Sequence, residues 1–290
     1  MAGLCSGRTV IVTGAGGGLG KAYALALAAE GANVVVNDIR KEAAVEVANQ
    51  LGAHGLENHS DITTMAGAAE IVGDAVQHFG EVHAVVNNAG VVRDKMFASM
   101  SEDDWDLVVR VHLKGHFCIA STLVKRWRDQ VKAGQKVDAR IINTSSGAGL
   151  QGSVGQSNYA AAKGGIASLT LVQAAELARY GITANALAPA ARTGMTEGVF
   201  ADMMKKPDGA AFDHYDPANV APLVVWLCST QSAGVTGKVF EVEGGKVSIA
   251  QGWRTGVAKD KRARWQAAEL TDVIAQLVAE SPKAQKVYGT

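Results

Sequence analysis

The residues best placed to do chemistry are a tyrosine and a lysine four positions apart, Tyr159 and Lys163, in the stretch Tyr-Ala-Ala-Ala-Lys. Residues at i and i+4 share one face of a helix, so the phenol and the amine come side by side. An unperturbed phenol has a pKa of about 10, so acting as a base near neutrality requires a drop of about 3 units, roughly 4 kcal/mol. A neighbouring ammonium favours the phenolate. Such a phenol could take a proton from an alcohol or return one to a ketone oxygen. Ser145 follows an apolar strand-like run upstream and could hydrogen-bond the same oxygen, holding it near Tyr159. By itself the Tyr159/Lys163 spacing also fits an ordinary surface helix pair. Ser145 behind a strand argues for the chemical reading.

A second constellation lies near the start of the chain. Thr13–Gly20 reads Thr-Gly-Ala-Gly-Gly-Gly-Leu-Gly and joins a strand to a helix. The start of a helix presents unpaired N–H groups and a positive dipole end, which suit a pyrophosphate. Gly14 permits the turn, Gly18 allows close approach and Gly20 allows tight helix–strand packing, with Gly16 and Leu19 in the same contact. Asp38, at the end of the second strand, can bind both hydroxyls of an adenosine ribose and would repel a 2′-phosphate. Neither Gly17 nor Ile39 is basic, which favours NAD over NADP. Arg40 is the opposing feature, since it could turn toward a phosphate. Asp38 could otherwise serve only to cap the following helix.

The elements that must position these groups alternate along the chain. Strands are expected at Thr9–Thr13, Asn33–Asn37, His54–Asn58, Val82–Val86, Ala139–Asn143, Ile182–Leu187 and Val239–Val242, with helical stretches between them. Continuous apolar strands alternating with helices predict an α/β fold, a doubly wound parallel sheet covered on both faces. The expected organisation is one Rossmann-type domain over residues 1–245 and a partly helical extension over 246–290, its helix at Arg262–Ala279.

Of the 290 residues, 48% are hydrophobic and 19% charged, with 28 Lys+Arg against 28 Asp+Glu. A sizeable core is therefore expected, and no broad electrostatic pull toward nucleic acid. Cys5, Cys118 and Cys228 are scattered, which argues against a disulfide framework or a zinc site and fits a reducing compartment. No apolar run of membrane-spanning length and no signal peptide are read, so a cytoplasmic location is expected.

Taken together, Thr13–Gly20, Asp61-Ile62, Asn-Asn-Ala-Gly at Asn87–Gly90, Ser145 and Tyr159–Lys163 resemble the short-chain dehydrogenase/reductase family in order and spacing. The resemblance covers about residues 5–245. It implies an oxidoreductase that moves hydride between NAD and an alcohol/ketone pair. Asp61 and Ile62 would then sit beside the adenine, and Asn88, Ala89 and Gly90 would border the cofactor. Lys163 would also bind the nicotinamide ribose. Pro189, with Thr193, would contact the nicotinamide end. A homodimer or homotetramer is expected by the same analogy.

One departure stands out. The family usually carries an asparagine in the helix before the serine, where this chain has Val-His-Leu-Lys-Gly with His112. His112 could support a proton relay, or it could be a structural histidine in a helix kink. The stretches around His112, Asn87–Ala98 and Gly155–Lys163 are similar to the (3R)-hydroxyacyl-CoA dehydrogenase units of multifunctional β-oxidation enzymes. That similarity implies a 3-hydroxyacyl thioester substrate. A hydroxysteroid dehydrogenase, a 3-oxoacyl thioester reductase and a non-catalytic dinucleotide-binding protein are the alternatives. Gln151 would line the substrate pocket with Ser145 and Tyr159. Residues 193–215 would form a lid, with Met195, Phe200, Met203, Met204 and Phe212 as an apolar wall or as ordinary packing.

Overall fold

A computed structural model of the protein describes residues 3–194, 204–206, 209 and 211–290. The chain runs β1 (Thr9–Thr13), α1 (Gly18–Ala29), β2 (Asn33–Asn37), α2 (Lys41–Leu51), β3 (Gly55–Asn58), α3 (Met65–Phe79), β4 (Ala84–Asn87) and α4 (Glu102–Val109). A π-helical turn at Arg110–Lys114 leads into α5 (Gly115–Lys132). Then follow β5 (Ala139–Thr144), α6 (Gly147–Gln151), α7 (Ser157–Leu177), β6 (Ile182–Ala190), α8 (Ala221–Cys228), β7 (Val239–Glu243), β8 (Lys246–Ile249) and α9 (Leu270–Glu280).

The strands form one sheet in the order β3-β2-β1-β4-β5-β6-β7-β8, parallel except for β8. Side chains alternate across a strand, and the sequence uses both faces. Val10, Val12, Val34, Val36 and Ile142 pack on one side with Tyr23, Leu27 and Val224. Ile11, Val35, Val85 and Ile141 pack on the other with Ile71, Ile119, Leu123 and Trp127. This is why the strands read as unbroken apolar runs.

Three departures from the sequence reading concern length and pairing. Strand β8 pairs antiparallel with β7, so the sheet continues past residue 245. The tail helix begins at Leu270, not Arg262, behind a capping box formed by Gln266 and Glu269. The stretch Glu102–Lys132 is a helix long and apolar enough to cross a membrane, because the π turn fuses two shorter helices. Its Ile119, Leu123 and Trp127 are nevertheless buried against the sheet, and the Trp127 indole donates to the Val82 carbonyl at 2.8 Å.

The amino ends of the central strands are tied by charge. Arg8 and Arg140 flank Asp138, with N···O distances of 3.0 and 2.6 Å. Beside them the Thr9 amide donates to His83 Nδ1 at 3.0 Å. The carboxyl ends carry the glycine loop and the residues flagged for chemistry. Strand order reverses between β1 and β4, and the crevice at such a switch point is where open α/β sheets bind ligands.

Candidate active site

At the switch point opens a cleft of about 950 Å³. Gly14, Gly18, Leu19, Asp38, Asp61, Ile62, Asn88, Ala89, Gly90 and Thr193 line it, together with Ser60, Thr63, Arg93 and Lys114, which sequence reasoning did not single out. Gly14 has φ 63°, and a Cβ there would stand 2.7 Å from the Ala89 Cα. A Cβ on Gly20 would run into the Gly14 carbonyl oxygen. Helix α1 starts at Gly18 with no side-chain cap, so its first amides remain available to a ligand. Gly16 and Gly20 support the loop from outside the cleft lining. Pro189, in β6 opposite Val242, also stands outside it.

Asp38 accepts from the Gly16 amide at 3.0 Å and from the Arg40 backbone amide, Nε and Nη2 at 3.0, 3.0 and 3.1 Å. Burial pushes the Asp38 carboxyl up, but these donors outweigh it and hold it below its ordinary value. Arg40 is thus engaged by Asp38 at the cleft rim. Asp61 accepts from the Thr63 amide and hydroxyl at 2.8 and 2.9 Å, which fixes the loop after β3.

The Asn87–Gly90 turn is built into both neighbours. Asn87 donates to Asn143 Oδ1 at 3.0 Å inside the sheet. Asn88 Nδ2 donates to the Thr13 and Gly14 carbonyls at 3.1 and 3.3 Å. The amides of Asn88 and Ala89 donate to the Thr13 hydroxyl at 3.0 and 3.1 Å. The glycine loop therefore rests on this turn.

Around Tyr159 the two adjacent serines take different positions. Ser145 is buried, and its hydroxyl donates to the Lys163 carbonyl at 2.8 Å. Ser146 is the serine whose hydroxyl acts on the Tyr159 phenol, lowering its pKa. Alternation along β5 explains the difference. Asn143 faces α7, bonding Thr170 and Gln173, and Ser145 continues on that side beneath the helix. Ser146 turns the other way, and its hydroxyl also accepts from the Ala148 amide to start α6. Two adjacent serines at a strand end look alike in sequence; which face each takes depends on where the strand stops.

Lys163 is buried, with Nζ 2.6 Å from the Thr144 carbonyl oxygen and 5.5 Å from the Tyr159 ring centroid. Burial brings its pKa down to about 7. The Tyr159 phenol moves in the opposite direction from the sequence expectation. Burial raises its pKa, the Ser146 hydroxyl lowers it by less, and Asp94 adds to the rise. In the protein alone the phenol is the acid form.

His112 lies wholly buried in the π turn, its ring edge-on to Tyr159 with centroids 5.2 Å apart. Its Nε2 is 2.7 Å from the Val91 carbonyl oxygen, while Nδ1 is buried with no hydrogen-bond partner among the described residues. Burial, with the positive charge of Lys163, brings its pKa down to about 3. The imidazole is neutral at ordinary pH, and it contacts both the Asn87–Gly90 turn and Tyr159.

Gln151 ends α6 and is partly buried. Of the expected lid wall, Met195, Phe200 and Met203 lie outside the described residues; Met204 is buried and Phe212 exposed. The two ends of the segment are joined: the Arg192 amide donates to the Tyr215 carbonyl at 2.8 Å, and Arg192 Nη2 pairs with Asp213 at 2.5 Å.

A glycine-built turn, an uncapped helix start, a carboxylate at the cleft rim and a Tyr–Lys–Ser group at the carboxyl edge of one sheet are the features of a dinucleotide-dependent oxidoreductase. The chain belongs to the short chain dehydrogenase family, whose profile matches residues 8–204. It is 45% identical over 256 residues to the hydroxyacyl-CoA dehydrogenase ChsB1 of Mycobacterium tuberculosis, covering 84% of this chain and 80% of that one. It is 38% identical to the peroxisomal multifunctional enzyme type 2 of Mus musculus, over 86% of this chain and 33% of that protein. A short chain dehydrogenase from Mycobacterium avium superposes with a TM-score of 0.91 at 52% identity, covering 99% of this chain and 100% of that one. A 3-ketoacyl-(acyl-carrier-protein) reductase from Brucella melitensis, complexed with NADH, gives 0.73 at 30% identity over 83% of this chain and 98% of that one.

Proposed function

We propose that the protein interconverts a 3-hydroxyacyl-CoA and its 3-oxoacyl-CoA, with NAD(H) as redox partner. The observation that carries the reading is Tyr159 beside the glycine-lined cleft, with the Lys163 ammonium 5.5 Å from its ring and the Ser146 hydroxyl acting on its phenol. Bound in this cleft, a dinucleotide would supply the hydride acceptor for oxidation of the carbinol and the hydride donor for reduction of the carbonyl. Ser146 holds the reacting oxygen by hydrogen bonding. Tyr159 gives its proton to the carbonyl oxygen in reduction and, as the phenolate, takes the alcohol proton in oxidation. Lys163, 5.5 Å from the phenol ring, supplies positive charge to the phenolate when protonated. His112, neutral, hydrogen-bonded to Val91 and edge-on to Tyr159, positions the phenol ring.

The substrate class is supported by two relatives named for hydroxyacyl-CoA oxidation or for multifunctional peroxisomal enzymes. NAD in preference to NADP is supported by Asp38 at the cleft rim. The three cysteines are buried free thiols, which suits a cytoplasmic enzyme. A homodimer or homotetramer is the expected assembly.

Initial rates of NADH formation with (3R)- and (3S)-hydroxyacyl-CoAs, and with hydroxysteroids, test the reading. Turnover of hydroxyacyl-CoA faster than of any steroid supports it. Turnover confined to steroids, or NADPH-driven reduction of 3-oxoacyl thioesters far outrunning NADH-driven reduction, replaces it with one of those two activities. Tight dinucleotide binding with no turnover of any alcohol leaves a non-catalytic binding protein.

A further inference from the structure

The end of the chain returns to the reacting serine. Helix α9 buries none of its side chains fully, so the tail does not fold back to complete a core. Beyond it, the Val154 amide donates to the Tyr288 carbonyl at 3.0 Å, and the Tyr288 amide donates to the Gly152 carbonyl at 3.2 Å. This short parallel pairing lies on the loop between Ser146 and Tyr159. The Tyr288 ring fits there because residue 147 is glycine: a Cβ on Gly147 would stand 2.5 Å from Tyr288 Oη and 2.9 Å from its Cε2. Gly147 directly follows Ser146. Burial, followed by Glu241 and Glu243, pushes the Tyr288 phenol up, while the side chain keeps 46% of its surface open.

A secondary alcohol held by Ser146 and Tyr159 must extend its substituents away from the oxygen. One route follows α6 and the turn after it, residues 147–155, and the side chain packed on the first residue of α6 borders it. We propose that Tyr288 is a wall of the pocket that receives the substrate's carbon chain, so that the tail determines which alcohols fit beside Ser146. This rests on the reading of Ser146 and Tyr159 as the alcohol-binding pair.

The test uses full-length Tyr288→Ala, Tyr288→Leu and Tyr288→Phe, with 3-hydroxyacyl-CoAs running from a short straight chain to a bulky polycyclic acyl group. In Tyr288→Ala the ratio of kcat/KM for bulky over short substrates is expected to shift by about tenfold or more, mainly through KM. Tyr288→Phe keeps the wild-type ratio, Tyr288→Leu falls between, and NADH affinity measured by fluorescence is unchanged in all three. An unchanged ratio in both Tyr288→Ala and Tyr288→Leu overturns the proposal. So does an equal fall for every substrate, because that is the mark of a residue that only braces the loop. A wild-type enzyme inert toward acyl thioesters but active on another alcohol overturns the substrate reading alone, and the same ratio is then taken between two sizes of that alcohol. Inertness toward every alcohol overturns both.

Discussion

The imidazole of His112 fills the space that a Cβ on Gly90 would need, so the turn after β4 and the π turn between α4 and α5 are fitted to one another. The same ring meets Tyr159 edge-on. Gly90 is therefore required by a side chain and not by its own backbone angle, since it is absent from the positive-φ glycines.

Gly90→Ala should force the imidazole to shift and destabilise the protein by about 1–3 kcal/mol, read by denaturant unfolding. The smaller His112→Ala partner should relieve most of that cost, so the two substitutions combine non-additively. Additive losses would show that the turn and the histidine are independent.

The two serines should separate cleanly. Ser146→Ala is expected to lower kcat by about 10²–10³ with little change in dinucleotide affinity. Ser145→Ala loses one buried hydrogen bond to the Lys163 carbonyl and should cost about 1 kcal/mol of stability, with a much smaller effect on turnover. The reverse ranking in kcat would return the substrate oxygen to Ser145.

Lys163 should leave a signature in stability against pH. Its folded-state pKa, about 7, lies below the ordinary lysine value of 10.5. Between these values the unfolded chain holds a proton that the folded one has released, so rising pH favours the folded state through this group. Lys163→Met removes the titration. Its stability gain over wild type should be greatest at and below about pH 7 and should shrink by at most about 1.4 kcal/mol per unit as pH rises toward the unfolded value. A gain that is flat across this window would mean that the buried amine keeps its ordinary pKa.

Asp38 and Arg40 should govern the choice of dinucleotide. Asp38→Ala removes the carboxylate and releases Arg40 from its two side-chain contacts. The kcat/KM ratio of NAD to NADP should fall by about tenfold to a hundredfold, with Arg40→Ala on the same background reversing the gain for NADP. A ratio unmoved in Asp38→Ala removes Asp38 from this role.

Much of this architecture could be read from residue patterns. The apolar runs in β1 and β2 match their strands end to end, because both faces of those strands are buried. The glycine loop was legible because its backbone conformation and close approaches exclude side chains. The less legible features depend on tertiary partners. Strand β8 has two of its four residues apolar and stays largely exposed, so neither a core face nor a buried run marks it. Ser145 and Ser146 have the same chemistry, and only the end of β5 distinguishes them. The direction of the Tyr159 pKa depends on how deeply the phenol is buried, which spacing from Lys163 does not reveal. Tyr288 lies more than a hundred residues from the loop it covers, with no local pattern to connect them.

The guanidinium groups of Arg8 and Arg140 clasp Asp138 at the edge of the sheet remote from Tyr159. Strands β1 and β5 are thus anchored at one margin and free to carry varied loops at the other. Rewriting those loops need not unseat the strands, so the recognition surface can diverge while the scaffold stays in place. A chimera that exchanges residues 147–155 together with the terminal tail, and leaves the Arg8–Asp138–Arg140 clasp untouched, is the natural unit for transplanting selectivity.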